Sequence, residues 1–173
     1  MDTPAWVFGY GSLIWRADFP WLERQPATLS GWARRFWQGS HDHRGIPDAP
    51  GRVVTLVRSR HETCAGVAYR VESQVFDHLD HREKNGYERV PVSLALASGK
   101  NVDGVVYIAP IDNFAFLGDA PLKEMARHIQ GSAGPSGRNV DYLLELAAAL
   151  RDLGAHDPHV FALEAAVEEV QRS

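Results

Sequence analysis

Residues 6 to 13 read Trp6-Val7-Phe8-Gly9-Tyr10-Gly11-Ser12-Leu13, and this stretch decides the fold. Its aromatic and β-branched first half is typical of a short buried strand. The glycines that follow let a backbone approach a ligand closely. Successive N–H groups in such a turn can bind a carboxylate or a developing oxyanion. The stretch therefore predicts a strand that ends in an anion-binding loop.

The loop does not match three well-known binding or catalytic loops. It is not a P-loop, because no Gly-Lys-Ser/Thr follows. It is not a dinucleotide fingerprint, because Ile14 stands where the last glycine is needed. Ser12 lacks the flanking glycines, two residues away on each side, that a nucleophile elbow requires. An ordinary tight turn therefore remains the alternative to a binding loop.

Strand patterns dominate the first two thirds of the chain, and helical patterns dominate the rest. The strands are predicted at residues 27–39, with a break at Ser30-Gly31, and at 52–57, 65–71, 90–96 and 102–109. In the fourth of these segments the apolar residues alternate with others, which predicts a strand with one buried face: Val90, Val92, Leu94 and Leu96. One helix interrupts the strands at about residues 73–84, and three more follow at 122–129, 139–153 and from Asp157-Pro158 onward. The last helix is predicted to have an apolar stripe of Val160, Leu163, Val167 and Val170. This order is α+β rather than a regular βαβ alternation. Because no repeat or linker is visible, residues 1–173 are expected to form a single domain.

Composition excludes several classes of function. The net charge of −4 provides no basic surface for nucleic acid or an anionic membrane. No run of about 18 apolar residues predicts a transmembrane helix, and the first residues do not resemble a signal peptide. Cys64 is the only cysteine, so no intrachain disulfide can form. These features predict a cytoplasmic protein with no nucleic acid, membrane or obligate protein partner.

A glutamate near the end of the inserted helix is the best candidate for acid–base chemistry. Phe76, Leu79 and Glu83 are spaced i, i+3 and i+7 and therefore share one helix face. Since the first two face the core, Glu83 is expected to point inward. Burial and the negative end of the helix dipole both raise the pKa of a carboxyl group, which suits a general acid/base. A structural ion pair with Arg82 or Arg89 is the alternative.

The histidines do not predict a metal site. His78 and His81, like His156 and His159, have i, i+3 spacing, but none of them belongs to an H-E-x-x-H motif. A lone cysteine also argues against a structural zinc cluster. We therefore expect the protein to need no metal.

Six further segments are long and unusual: Arg34–Ser40, Asp42–Gly45, Pro50–Leu56, Gly66–Arg70, Leu79–Tyr87 and Ala133–Asn139. Together with residues 6–15, they resemble the ChaC family of glutathione-specific γ-glutamylcyclotransferases. The likeness extends over roughly Trp6 to Val167.

The resemblance implies a γ-glutamylcyclotransferase-like fold, with a mixed, partly barrel-like sheet, one inserted helix and C-terminal helices packed around it. It implies that glutathione is cleaved into 5-oxoproline and L-cysteinylglycine by intramolecular cyclisation, without a metal or organic cofactor. The general acid/base carried over is Glu83. The substrate-binding residues carried over are Val7, Phe8, Gly9, Tyr10, Gly11 and Ser12.

Two alternatives remain open. The chain could be a cyclotransferase for other γ-glutamyl amines or dipeptides, or a non-catalytic module that binds γ-glutamyl groups. The presence of Glu83 favours an enzyme, and the segment from Arg35 to Gly45 favours glutathione. Arg35, Arg44 and Arg138 are unranked candidates for binding the glycine carboxylate of the tripeptide.

Overall fold

The computed structural model describes residues 3–81 and 86–172. Its chain forms two compact units. The first comprises Met1–Ala33 and Leu56–Asn113, and the second comprises Arg34–Thr55 and Phe114–Ser173. Each unit combines separate stretches of sequence, so neither is a continuous half of the chain. The single domain over residues 1–173 stays a prediction.

Five strands form a closed barrel in the order β1-β3-β2-β4-β5. The strands are Ala5–Gly9 (β1), Glu23–Ser40 (β2), Gly51–Val71 (β3), Glu88–Leu96 (β4) and Asn101–Ile108 (β5). β1 pairs antiparallel with β3 on one side and parallel with β5 on the other. β4 pairs antiparallel with both β2 and β5. The predicted α+β fold with a mixed, barrel-like sheet is confirmed.

β4 shows why these residues form a half-buried strand. Leu94 and Leu96 are buried, whereas Ser93 and Ala95 between and beside them are exposed. Side chains of a strand alternate between its faces, so the apolar residues turn to the core and the others to solvent. The alternation predicted for this segment is confirmed.

Two strands are longer than predicted. β2 continues through the expected break at Ser30-Gly31, where Gly31 adopts a φ of +87° inside the strand. β3 joins the two strands expected at 52–57 and 65–71 into one. The connecting residues 58–63 are polar and mostly exposed, so they show no apolar alternation although their backbone is extended.

The inserted helix, α1, spans Val75–Asp80. It begins two residues after the predicted start. Leu79 is completely buried as predicted, whereas Phe76 is only half-buried. The expected continuation from Arg82 to Lys84, which includes Glu83, lies outside the described residues.

The second unit contains three helices and a short hairpin. The helices are Leu122–Gln130 (α2), Asn139–Asp152 (α3) and Pro158–Arg172 (α4), and the hairpin strands are Ala133–Gly134 (β6) and Gly137–Arg138 (β7). α4 packs against both α2 and α3 and buries Val160, Leu163 and Val167 of the predicted stripe. None of the helices among the described residues has the length and hydropathy of a membrane-spanning helix.

Three glycines bring distant segments of the second unit into backbone contact. A Cβ atom added to Gly45 would lie 2.1 Å from the Gly51 nitrogen, and one added to Gly134 would lie 2.5 Å from the Gly45 oxygen. Such distances leave no room for a side chain at any of these positions. Three of the segments that carry the family resemblance therefore meet at a close approach of their main chains.

Candidate active site

The loop after β1 divides into a strand half and a turn half. Val7 pairs with Tyr69 on one side and Val105 on the other, so its backbone lies in the middle of the sheet. The Val7 and Phe8 side chains are 0% and 1% exposed. Their side chains therefore belong to the core, and any exposed ligand-binding group must come from the turn half, residues 10–12.

Close packing explains the glycine at the end of β1. A Cβ atom on Gly9 would lie 2.7 Å from Cβ of Leu13, because the chain folds back after the strand. A Cβ atom on Gly66 of the neighbouring strand would lie 2.3 Å from the Gly9 oxygen. Glycine at both positions lets the turn lie directly on β3, which fixes where the following N–H groups lie.

The turn continues as one 3₁₀ turn, Ser12–Ile14, whose carbonyl end is held by side chains. The Tyr69 hydroxyl donates to the Leu13 oxygen at 2.5 Å, and Arg24 Nη2 donates to the Ile14 oxygen at 2.9 Å. Arg24 Nε also donates to the Tyr69 hydroxyl at 3.2 Å. These bonds orient the turn, because its carbonyls are tied towards β2 and β3.

At the start of the turn, by contrast, the backbone N–H groups have no acceptor among the described residues. Within the described part of the chain, the N–H groups of Gly11, Ser12 and Leu13 donate no hydrogen bond. Unpaired N–H groups at the start of a helical turn carry partial positive charge and can bind an anion. The geometry is therefore compatible with the predicted anion-binding loop.

The two hydroxyl groups of the loop have different surroundings. The Tyr10 hydroxyl donates to the backbone oxygen of Tyr107 at 2.6 Å, and the Tyr10 side chain is buried. Ser12 is half-buried at the start of the 3₁₀ turn. Tyr10 therefore anchors the loop to β5, and Ser12 is the hydroxyl of the loop that lies nearer to solvent.

A polar cluster that the sequence analysis did not identify lies between α1 and the barrel. The Tyr107 hydroxyl donates to Oδ1 of Asp80 at 2.6 Å, and Arg89 Nη1 lies 3.4 Å from the same oxygen. Arg89 is the cross-strand neighbour of Tyr107 and also lies over the Phe76 ring, 5.5 Å from its centroid. These residues belong to ordinary strand and helix patterns, so nothing in the sequence marked them as a group.

The three arginine candidates all lie in the second unit and have partners there. Arg44 is buried, donates to the backbone oxygen of Arg138 at 3.2 Å and lies over the Tyr142 ring. Arg138 pairs with Asp141 at 2.9 Å, and this hydrogen bond raises the pKa of the guanidinium. Arg35 donates to the neighbouring backbone at 2.8 Å. These contacts give Arg44 in particular a structural role.

The described residues hold no cluster of three or more histidine, cysteine, aspartate or glutamate side chains that could bind a metal ion. Glu83 lies outside those residues. Whether the protein needs a metal stays a prediction.

Comparisons with known proteins relate the whole chain to one family. Residues 5–170 match the family described as ChaC-like protein. The chain is 45% identical to gamma-glutamylcyclotransferase 2-3 of Arabidopsis thaliana, with 95% of this chain and 89% of the relative covered. It is 40% identical to glutathione-specific gamma-glutamylcyclotransferase 1 of Homo sapiens, with 94% and 78% covered. A crystal structure of a yeast γ-glutamylcyclotransferase specific to glutathione superposes with a TM-score of 0.88 at 32% identity, covering 97% of each chain.

Proposed function

Because the chain belongs to the ChaC-like family, we infer that it is a glutathione-specific γ-glutamylcyclotransferase, a lyase that converts glutathione into 5-oxoproline and L-cysteinylglycine. The observation that carries this conclusion is the likeness to glutathione-specific relatives over nearly the whole chain. It includes the human enzyme at 40% identity and the yeast structure at a TM-score of 0.88. A cytoplasmic location, where a lone cysteine such as Cys64 stays reduced, belongs to the same proposal.

The reaction needs little more than a folded-back substrate and one proton carrier. The α-amine of the γ-glutamyl group attacks its own γ-carbonyl carbon, which forms the lactam C–N bond. The old amide C–N bond then breaks, and cysteinylglycine leaves. Because nucleophile and electrophile belong to one molecule, holding them in the reactive conformation supplies much of the rate enhancement. The proton lost by the attacking amine must reach the departing nitrogen.

We assign the proton transfer to Glu83. A single carboxylate can take the proton from the amine and return it to the leaving nitrogen in sequence. The assignment rests on the segment Leu79–Tyr87 and on family membership, because Glu83 is not among the described residues. No metal or organic cofactor is required by this mechanism.

We assign substrate binding to the loop Val7, Phe8, Gly9, Tyr10, Gly11 and Ser12. The support is the open N–H end of its turn, which can bind the γ-glutamyl carboxylate or the oxyanion that forms on the γ-carbonyl. Val7, Phe8 and Tyr10 contribute by fixing the loop, since their side chains are buried. Gly11 and Ser12 contribute the backbone groups that meet the substrate.

Replacing Glu83 by glutamine tests the chemical assignment. Glu83→Gln keeps the size of the side chain but cannot carry the proton, so turnover of glutathione should fall by about 10²-fold or more. Calorimetry should still detect glutathione binding. Glu72→Gln, an exposed site just before α1, is the matched control and should keep wild-type turnover. Near-normal 5-oxoproline production by Glu83→Gln would show that another group carries the proton.

The substrate range is tested with the same product assay. Glutathione, γ-glutamyl dipeptides and γ-glutamyl-lysine are compared by the 5-oxoproline they release. Glutathione should have the highest kcat/KM by a wide margin. Equal or faster release from another γ-glutamyl compound would favour a cyclotransferase with a broader substrate range. The plant relative at 45% identity supports this alternative, because its name does not specify glutathione.

A further inference from the structure

Tyr107 contacts both segments that the proposed reaction uses. Its backbone oxygen accepts the hydrogen bond from Tyr10 of the substrate loop, at 2.6 Å. Its hydroxyl donates to Asp80, the last residue of α1, also at 2.6 Å. Asp80 precedes Glu83 by three residues in the sequence. One buried residue of β5 therefore contacts the loop through its backbone oxygen and the helix before the proposed acid/base through its hydroxyl.

Asp80 is held in place by its partners rather than by the helix itself. A carboxylate at the C-terminal end of a helix faces the negative end of the dipole, which disfavours it there. Arg89 balances this charge at 3.4 Å and, with Tyr107, comes from adjacent positions on paired strands. The two contacts to Asp80 thus fix the end of α1 against β4 and β5.

The helix needs such an anchor because its described part is short. Among the residues that the structure describes, α1 spans six positions, and isolated helices of that length do not persist in water. Leu79 supplies apolar packing, and the hydrophobic effect behind this packing is non-directional. The hydrogen bond from Tyr107 to Asp80 adds a directional contact between β5 and the helix. Catalytic groups must be held to within about 0.5 Å, and a misplacement of about 1 Å can cost roughly 10²-fold in rate.

We propose that Tyr107 is a positioning residue for the cyclisation: its hydroxyl sets the end of α1 in register with the substrate loop, which its own backbone oxygen holds through Tyr10. This proposal rests on the proposed function, with Glu83 as the acid/base. Tyr107 acts through Asp80, which accepts the hydrogen bond from its hydroxyl.

Tyr107→Phe is the first test, because it removes the hydroxyl while keeping the ring and the backbone oxygen that binds Tyr10. The expected result is a fall in kcat of about tenfold or more, with KM changed less than about threefold. Val106→Ala is the matched control. It removes core packing at the adjacent position of β5, so it should lower the melting temperature at least as much while kcat stays near wild type.

Variants of Asp80 keep the test decisive if Tyr107→Phe folds poorly. Asp80→Asn still offers an oxygen to the Tyr107 hydroxyl and should retain more turnover than Asp80→Ala. In the double variant Asp80→Ala with Tyr107→Phe, kcat should fall little below the lower of the two single variants, because both changes remove the same bond.

Two kinds of failure are distinguishable. A wild-type protein that does not release 5-oxoproline from glutathione overturns the proposed function itself. If wild type is active and Glu83→Gln is not, the proposed function stands. The positioning role is then refuted by a folded Tyr107→Phe whose kcat lies within about twofold of wild type. It is also refuted if the Asp80→Ala and Tyr107→Phe losses multiply independently in the double variant.

Discussion

Mild acid should destabilise the folded protein through His159. This residue lies in the first turn of α4, where its Nε2 accepts a hydrogen bond from the Phe36 backbone nitrogen at 2.9 Å. An imidazole can accept only through an unprotonated nitrogen, so protonation at Nε2 breaks this bond. Burial, reinforced by the charge of Arg35, lowers the pKa of His159 to about 4. Asp157 and Asp119 act in the opposite direction, and Arg34 in the same direction as Arg35.

The size and sign of the effect follow from the two pKa values. Above pH 6.5, the ordinary pKa, His159 is neutral in both the folded and the unfolded chain, and the full stability is present. As the pH falls below this value, only the unfolded chain takes up the proton, so stability is lost until the folded pKa of about 4 is reached. Between pH 7 and pH 5, the free energy of unfolding should fall by about 2 kcal/mol on account of this residue.

Urea unfolding of wild type and His159→Gln at several pH values between 7 and 5 measures the effect. Glutamine offers its oxygen to the Phe36 nitrogen but does not titrate, so the variant should lack about 2 kcal/mol of the acid-induced loss. His156→Gln, which changes an exposed histidine three residues earlier, should follow the wild-type curve. If His159→Gln loses as much stability between pH 7 and pH 5 as wild type does, the reasoning is refuted.

Two further predictions concern buried polar groups of the second unit. Asn139 is completely buried, accepts a hydrogen bond from the backbone nitrogen of Arg52 (2.8 Å) and donates one to the backbone oxygen of Arg52 (2.7 Å). Asn139→Leu should therefore lower the free energy of unfolding, measured in urea, by about 2–5 kcal/mol. A decrease below about 1 kcal/mol would contradict this role of Asn139. Asp157 caps α4 through the Val160 nitrogen and pairs with the buried Arg34 at 2.8 Å. Asp157→Asn keeps a capping oxygen but removes the charge, so the free energy of unfolding should fall by about 3 kcal/mol in thermal or urea unfolding. Asp157→Ala also removes the cap, so its free energy of unfolding should be lower by about 1 kcal/mol more. Equal losses in the two variants would show that the cap contributes nothing.

Regular, apolar patterns predicted the elements that their own residues stabilise. The bounds of α3 and the start of α4 agree with the prediction to within about one residue, because leucine and valine stripes and the Asp157-Pro158 start are local signals. The sequence predicts two strands where the structure has β3 alone, because residues 58–63 have no buried face. Their extended backbone depends on pairing with another strand, and a single sequence does not show which strand that is.

Only the part of the site that has a local signal in the sequence was predictable. The loop after β1 has a local signal, since its glycines and aromatic residues stand next to each other in the sequence. The contacts that hold it have none: Tyr69 and Leu13 are 56 positions apart, and Tyr10 and Tyr107 are 97 apart. An ordinary tyrosine in a strand becomes informative only once the barrel brings it to the loop. Glu83 remains an assignment from the sequence and the family.

The pairing of β1 has a consequence for how the protein is made. β1 is bordered by β3 on one edge and by β5 on the other, and β5 ends only at Ile108. During translation, Val7 and Phe8 leave the ribosome long before β5 does. Until β5 is made, one edge of β1 stays unpaired. An unpaired apolar strand can be bound by chaperones or can aggregate with other chains. The strand that leads into the proposed substrate loop is thus exposed to aggregation in every nascent chain.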